Sequence, residues 1–142
     1  MFYGGGTKPI HRLFRSDNDQ YAHMNNAIYY HLYDSVVNDY LANHCDVRGP
    51  SSPVIGLVVS SFSDFYRPLR YPQVVELGLR VSKLGKSSVT FEVGVFEEGV
   101  ESAAAVGGYT HVFVGNGNRK AVNMSKEIRE GLEKLVVVGS KL

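Results

Sequence analysis

Arg15-Ser16-Asp17-Asn18-Asp19-Gln20-Tyr21-Ala22-His23-Met24-Asn25-Asn26 leads directly into the segment from Ala27 to Leu41, and this join decides the fold. Its first half is polar and rich in turn formers. In the second half Ile28, Tyr29, Leu32, Tyr33, Val36, Val37, Tyr40 and Leu41 recur as pairs at helical spacing, which predicts one helix with a wide apolar stripe. His31, Asp34, Ser35, Asn38 and Asp39 fall on its other side. Asn25 or Asn26 is placed to cap the start by accepting a bond from a free backbone N–H. Asp17, Asp19, His23, Asn25 and Asn26 thus crowd just before a buried helix N-terminus, where unpaired donors and partial positive charge gather. A carboxylate beside such donors can attack a carbonyl that the donors polarise. The competing reading is that these Asp and Asn residues only shape a turn and cap a helix.

Outward from that join, the chain has 142 residues, 44% apolar and 20% charged, which fits one globular domain over residues 1–142 with a substantial core. A net charge of +1 gives no electrostatic footprint for nucleic acid. The nine tyrosines are not interleaved with a basic run, so core and pocket packing is the expectation for them. Cys45 is the single cysteine, which excludes an intramolecular disulfide. His23, His31 and Asp34 make no convincing metal-ligand set, and no metal is expected. No apolar run is long enough to span a membrane. Met1-Phe2-Tyr3-Gly4-Gly5-Gly6 reads as a flexible lead-in without the basic and apolar regions of a signal peptide.

Before the join, Ile10 to Phe14 reads as a short strand. After it, residues 42–53 read as a loop broken by Gly49, Pro50, Ser51, Ser52 and Pro53. The period then changes. Val54 to Tyr66 is β-branched and aromatic; Val75, Leu77, Leu79 and Val81 alternate with polar residues or glycine, as do Val89, Phe91, Val93 and Val95. Ala103 to Val114 is a fourth run, rich in alanine and glycine. Such alternation predicts long strands with one buried face, and short connections at Leu69–Gln73, Gly85-Lys86 and Glu98-Gly99 predict antiparallel neighbours. Long antiparallel strands twist and curl, and the apolar helix is the object to curl round. Ala103, Ala104, Ala105, Gly107 and Gly108 would let helix and sheet approach closely. Ser125 then caps an amphipathic C-terminal helix carrying Ile128, Leu132, Leu135 and Val136, which Gly139 should stop.

The run from Asp17 to Tyr29, followed by four long strands, resembles the hotdog-fold acyl-CoA thioesterases of the 4-hydroxybenzoyl-CoA thioesterase type. Their pattern is roughly Asp-x-Asp-x-x-Gly-His-x-Asn-Asn-x-x-Tyr at the start of a central helix, and the resemblance covers about His11 to Phe113. It implies an α+β hotdog fold: a long, curved antiparallel sheet wrapped round a central helix, with a C-terminal helix added. It aligns Asp19 with the family's catalytic carboxylate and the backbone N–H of Asn26 with the donor that polarises the thioester carbonyl. Tyr29 falls on the motif's tyrosine, in a substrate-binding position. Phe65 to Leu69 resembles the segment before the second sheet turn, and Lys83 to Ser88, with Lys86 and Ser87, resembles a turn that often contacts coenzyme A phosphates. One position departs: the family glycine is Ala22, where glycine permits positive φ or close ligand approach. The resemblance further implies a homodimer or homotetramer, with sheet edges paired and the site between protomers.

The activity so implied is hydrolysis of an acyl-CoA thioester, with no cofactor beyond the CoA of the substrate. Asp19 would act as general base on water or as nucleophile. His23 and Asn25 are candidates for orienting water or the acid, with turn bonding the alternative for both. Lys83, Lys86, Arg67 and Arg70 are the cations nearest the turns, and Lys86 is the first candidate for a phosphate. Two rivals stand beside this reading: a hotdog acyl-CoA hydratase or dehydratase using Asp19 and His23 as an acid–base pair, and a non-catalytic acyl-CoA-binding module. The sequence ends Ser140-Lys141-Leu142, which matches a peroxisomal address read by an import receptor. The expectation is therefore a peroxisomal protein in a eukaryote and a cytoplasmic one otherwise.

Overall fold

The computed structural model describes residues 10–136. Gly4 to Gly6, Gly139 and Ser140-Lys141-Leu142, on which three expectations fall, lie outside them. The elements in chain order are β1 (Ile10–Arg12), α1 (Asn26–His44), β2 (Val54–Phe65), β3 (Val74–Leu84), β4 (Ser88–Glu97), β5 (Ala105–Gly115) and α2 (Lys126–Glu133), with single 3-10 turns at Arg15–Asp17 and Gly49–Ser51. The five strands form one antiparallel sheet in the order β1-β3-β4-β5-β2. It curls round α1 in the hotdog arrangement that the resemblance implies.

The alternation read from the sequence is what packs the core. Val75, Leu77, Leu79 and Val81 of β3 and Val89, Phe91, Val93 and Val95 of β4 are all buried, and they form one cluster with Tyr29, Leu32, Tyr33, Val36, Val37, Tyr40 and Leu41 of α1. Each such aliphatic or aromatic side chain contributes about 1.5–3 kcal/mol on burial, so α1 is held by its stripe rather than by helix propensity. Gly107 lets β5 come close to α1, because a Cβ there would overlap the Tyr33 ring. Gly108, expected to serve the same approach, instead has φ +149 and lies against the Phe91 carbonyl of β4.

Two expectations are corrected. The connection at Leu69–Gln73 does not join neighbouring strands: β2 pairs along the whole of β5, from Val54↔Gly115 to Phe65↔Ala105, and leaves β3 three places away. The reason is where residues 66–73 find their partners. Leu13 donates its N–H to the Gln73 carbonyl, Met24 donates to the Leu69 carbonyl, and Tyr71 donates to Asn18 Oδ1. The segment is thus a crossing strapped to the polar loop before α1. The C-terminal helix also stops at Glu133, well before Gly139. Leu135 leaves the helix to accept a bond from the Val81 N–H, and Val136 bridges to Val81, at the bulge of β3. Tyr40 Oη donates to the Gly131 carbonyl at 2.6 Å and ties α2 to α1.

Candidate active site

Asn25 is the helix cap. Its Oδ1 accepts from the Ala27 N–H at 2.9 Å, and its carbonyl accepts from the Ile28 N–H. Between these, the N–H of Asn26 stands at the first helical position and has no acceptor among the described residues. It is the donor left over for a ligand, at the end of the helix where partial positive charge collects.

The polar loop holds Asp19 in front of that end. Asp19 Oδ1 accepts from the N–H groups of Tyr21 (2.8 Å) and His23 (3.2 Å). The Asp19 N–H donates to the His23 carbonyl at 2.7 Å, and the Ala22 N–H donates to the Asp19 carbonyl at 3.1 Å. Asn18 and Met24 bridge across the base of this loop. One carboxylate oxygen is therefore fixed by the chain's own backbone, and Oδ2 makes no hydrogen bond among the described residues. Asp17 plays the other part: it is 9% exposed, and its Oδ2 accepts from the Phe14 N–H at 2.8 Å and sits 3.2 Å from His11 Nε2. Its carbonyl accepts from the Asn25 N–H. Asp17 anchors the loop, and Asp19 faces outward.

Ala22 keeps the conformation that a glycine would favour, at φ +62. The turn is preserved, at the cost of a left-handed L-residue, which is about 1–2 kcal/mol. Ala22→Gly should therefore raise stability by about 1 kcal/mol, less whatever the freer unfolded chain takes back. A urea midpoint equal to or below wild type would show that the turn carries no such strain.

Asp19, His23, Met24, Asn26 and Tyr29 line one cleft with Phe65, Tyr66, Arg67, Pro68 and Leu69. Its volume is about 280 Å³. Tyr29 meets Phe65 edge to face at 4.9 Å, so the wall away from the carboxylate is aromatic. Burial raises the Tyr29 phenol above its ordinary range, which keeps it neutral. His23 works through its backbone in the loop, while its exposed side chain reaches the cleft. Arg67 is tied at the rim by two bonds to Ser102, from Nη1 to Oγ (2.7 Å) and from Nη2 to the carbonyl (2.9 Å).

The sequence-derived residues thus divide. Asp19, His23, Asn25, Asn26, Tyr29 and Arg67 come together at one helix end. Lys83, Lys86 and Ser87 do not join them within the protomer. They lie at the β3–β4 turn, where the Lys86 carbonyl accepts from Met124 and the Ser87 carbonyl from Phe113. The cleft lies beyond the other end of β3, a strand of 11 residues and so roughly 35 Å of chain contour. Asp34 accepts from Tyr109 Oη at 3.3 Å, a contact between α1 and β5 away from the cleft. Met24 and the segment Phe65 to Leu69, which the resemblance places before the second sheet turn without a role in the site, complete the cleft. Their arrival depends on the crossing of residues 66–73, which hydrophobic patterning does not reveal. Among the described residues no cluster of His, Cys, Asp and Glu is arranged to hold a metal, and no helix is long and apolar enough to cross a membrane. Cys45 is buried, and burial pushes its thiol up to about 11, away from reactive use.

A family model of the thioesterase superfamily matches residues 21–104, which takes in α1, three of the strands and every lining residue of the cleft but Asp19. The chain belongs to the thioesterase superfamily. The PA5185 protein from Pseudomonas aeruginosa is 40% identical, with 92% of each chain covered and a TM-score of 0.87. The protein SAV2348 from Staphylococcus aureus, solved in complex with CoA, is 11% identical over 95% of this chain and 88% of that one, with a TM-score of 0.82. A DHNA-CoA thioesterase from Staphylococcus aureus is 14% identical over 89% of this chain and 87% of that one, with a TM-score of 0.75. The last two are likenesses of fold alone. No curated protein matches the chain.

Proposed function

We propose that this thioesterase-superfamily chain hydrolyses acyl-CoA thioesters to free acid and CoA, with no cofactor of its own. One observation carries the reading: a carboxylate fixed through one oxygen and an unpaired helix-start N–H share an aromatic cleft. The thioester carbonyl oxygen would receive the Asn26 N–H as it becomes an oxyanion, an interaction whose loss typically costs ~10²–10³ in rate. Oδ2 of Asp19 would take the proton of an attacking water or would itself bond to the carbonyl carbon. In either course the C–S bond breaks and the sulfur leaves as thiolate; in the second, water then hydrolyses the acyl–Asp19 anhydride, releasing the acid and restoring the carboxylate. CoA is placed first among carriers because a neighbour of the same fold, SAV2348, is in complex with it.

The test is thiol release measured across acyl-CoAs of graded chain length and aromatic acyl-CoAs. Hydrolysis of at least one class is expected. A change at the enoyl-thioester band without thiol release would favour the hydratase or dehydratase, and acyl-CoA binding without either would favour a binding module.

The assembly we propose is a homodimer, or a tetramer built from it. Among the described residues β2 pairs only with β5, and it carries exposed Leu57, Val58, Val59 and Phe62. A long apolar edge strand is a liability unless covered, and a second copy of β2 covers it by extending the sheet. Light scattering at micromolar concentration should give two or four protomers; a stable, active monomer would contradict this. For localisation, the proposal remains peroxisomal delivery through an import receptor in a eukaryotic cell and the cytoplasm otherwise. Deleting Ser140-Lys141-Leu142 from an N-terminally tagged protein should abolish punctate fluorescence while leaving thiol release intact.

A further inference from the structure

The segments that frame the cleft, residues 11–24 and 66–73, carry four arginines (Arg12, Arg15, Arg67, Arg70) against two aspartates, Asp17 and Asp19. Asp17 is buried and engaged by His11, so it offsets little of this charge outside. The side chains of Arg15 and Arg70 are exposed and make no ion pair among the described residues. Aromatic rings alternate with them: Tyr21 is 72% exposed and Tyr71 is 45% exposed. Four backbone joints hold together the two segments that carry these residues, beside the cleft. Asn18 donates its N–H to the Arg15 carbonyl, Tyr71 donates to Asn18 Oδ1, Met24 donates to the Leu69 carbonyl, and Tyr21 donates to the Asp19 carboxylate itself. Exposed tyrosine rings beside the exposed guanidinium groups of Arg15 and Arg70 are a surface for a ligand that is both planar and anionic.

We infer that the rim formed by Arg15, Tyr21, Arg70 and Tyr71 receives the phosphorylated adenosine of the thioester's carrier, with the purine against a tyrosine face and the phosphates on the arginines. The inference rests on the proposed acyl-CoA reading and relocates its nucleotide. The β3–β4 turn with Lys83 and Lys86 lies a full strand away from Asp19 in the same protomer, whereas this rim is joined to the Asp19 loop directly. A protein carrier bearing an acidic helix would use the cations and leave the exposed purine-sized faces of Tyr21 and Tyr71 without a role, so the free nucleotide carrier is favoured.

Two measurements test this on the full chain. In the first, adenosine 3′,5′-bisphosphate is titrated into wild type and into Arg70→Glu and Arg15→Glu/Arg70→Glu variants by calorimetry, independently of any turnover. Binding by wild type, weakened at least ~10-fold in the variants, is expected for charge-assisted phosphate contacts. No binding by wild type, or equal binding by all three, overturns the inference. In the second, hydrolysis of an acyl-CoA is compared with that of the same acyl group on N-acetylcysteamine, which lacks the nucleotide. The variants should raise KM for acyl-CoA ~10-fold with kcat kept, and leave the truncated thioester unaffected. Equal effects on both substrates, or an effect confined to acyl groups on an acyl carrier protein, overturn it. A wild type that releases thiol from neither substrate counts against the proposed hydrolase, while the titration still decides the rim.

Discussion

Asp19→Asn is expected to lower turnover at least ~10²-fold while leaving acyl-CoA binding largely intact. The structure makes this a clean substitution. Asp19 Oδ1 serves as acceptor for the Tyr21 and His23 N–H groups, and an asparagine Oδ1 can accept both. The loop therefore stays closed, and what changes is the outward atom, which becomes an amide that neither takes a proton nor attacks a carbonyl. Thiol release under saturating substrate, with acyl-CoA affinity measured separately, distinguishes lost chemistry from lost binding. Asp17→Asn provides the contrast. Asp17 is spent on Phe14 and His11, so its neutralisation should loosen the loop and cost less turnover than Asp19→Asn. Near-normal turnover in Asp19→Asn would reject Asp19 as the reacting group, and a larger loss in Asp17→Asn would transfer the role to Asp17.

Why that site was legible in sequence, and its surroundings were not, follows from the range of the interactions. The Asp19 turn, the Asn25 cap and the spare Asn26 N–H are all built within ten residues of chain, so residue type and spacing predict a polar turn and a cap at Asn25 or Asn26, while Asp19 and the Asn26 N–H are picked out by the resemblance. The helix stripe and strand alternation are equally local, because each periodicity reports one buried face. Strand order is different. The length of the Leu69–Gln73 connection predicts a hairpin, yet its backbone groups are satisfied by Leu13, Asn18 and Met24, some fifty residues earlier. Loop length does not encode such partners. The same crossing delivers Phe65, Tyr66 and Leu69 to the cleft and leaves Lys83 and Lys86 at the far end of β3. His111 was unreadable for a further reason: it occupies an inward position of a strand in which polar and apolar residues are mixed, and only the assembled sheet shows how little room surrounds it.

His111 is expected to make the protein acid-labile above the range in which carboxylates protonate. It is 3% exposed on β5, stacked on Tyr109 at 4.8 Å and edge-on to Phe91 at 5.5 Å. Among the described residues its Nδ1 has no hydrogen-bond partner, and it faces the β2 backbone at Gly56, where even a Cβ would stand 2.7 Å from that nitrogen. From α1 the one charged group that bears on the ring is Asp34, which favours the protonated form but is outweighed. Burial dominates and lowers the imidazole from 6.5 to about 4. The sign follows from linkage. The unfolded chain takes up the proton near 6.5 and the folded chain only near 4, so the stability is fully present above the unfolded value and is lost as pH falls from 6.5 towards 4. The full difference is about 3 kcal/mol, and about 2 kcal/mol of it is gone by roughly pH 5. Urea midpoints followed downward from pH 7 should fall across this window in wild type. In His111→Phe, which keeps a ring against Tyr109 and cannot titrate, the fall should be shallower by about 2 kcal/mol whatever the variant's stability at neutral pH. Parallel pH profiles for the two proteins would mean that His111 is protonated as easily folded as unfolded. The edge strand over Nδ1 would then have to open to water, and since β2 is also the proposed dimer edge, that outcome would bear on the assembly as well.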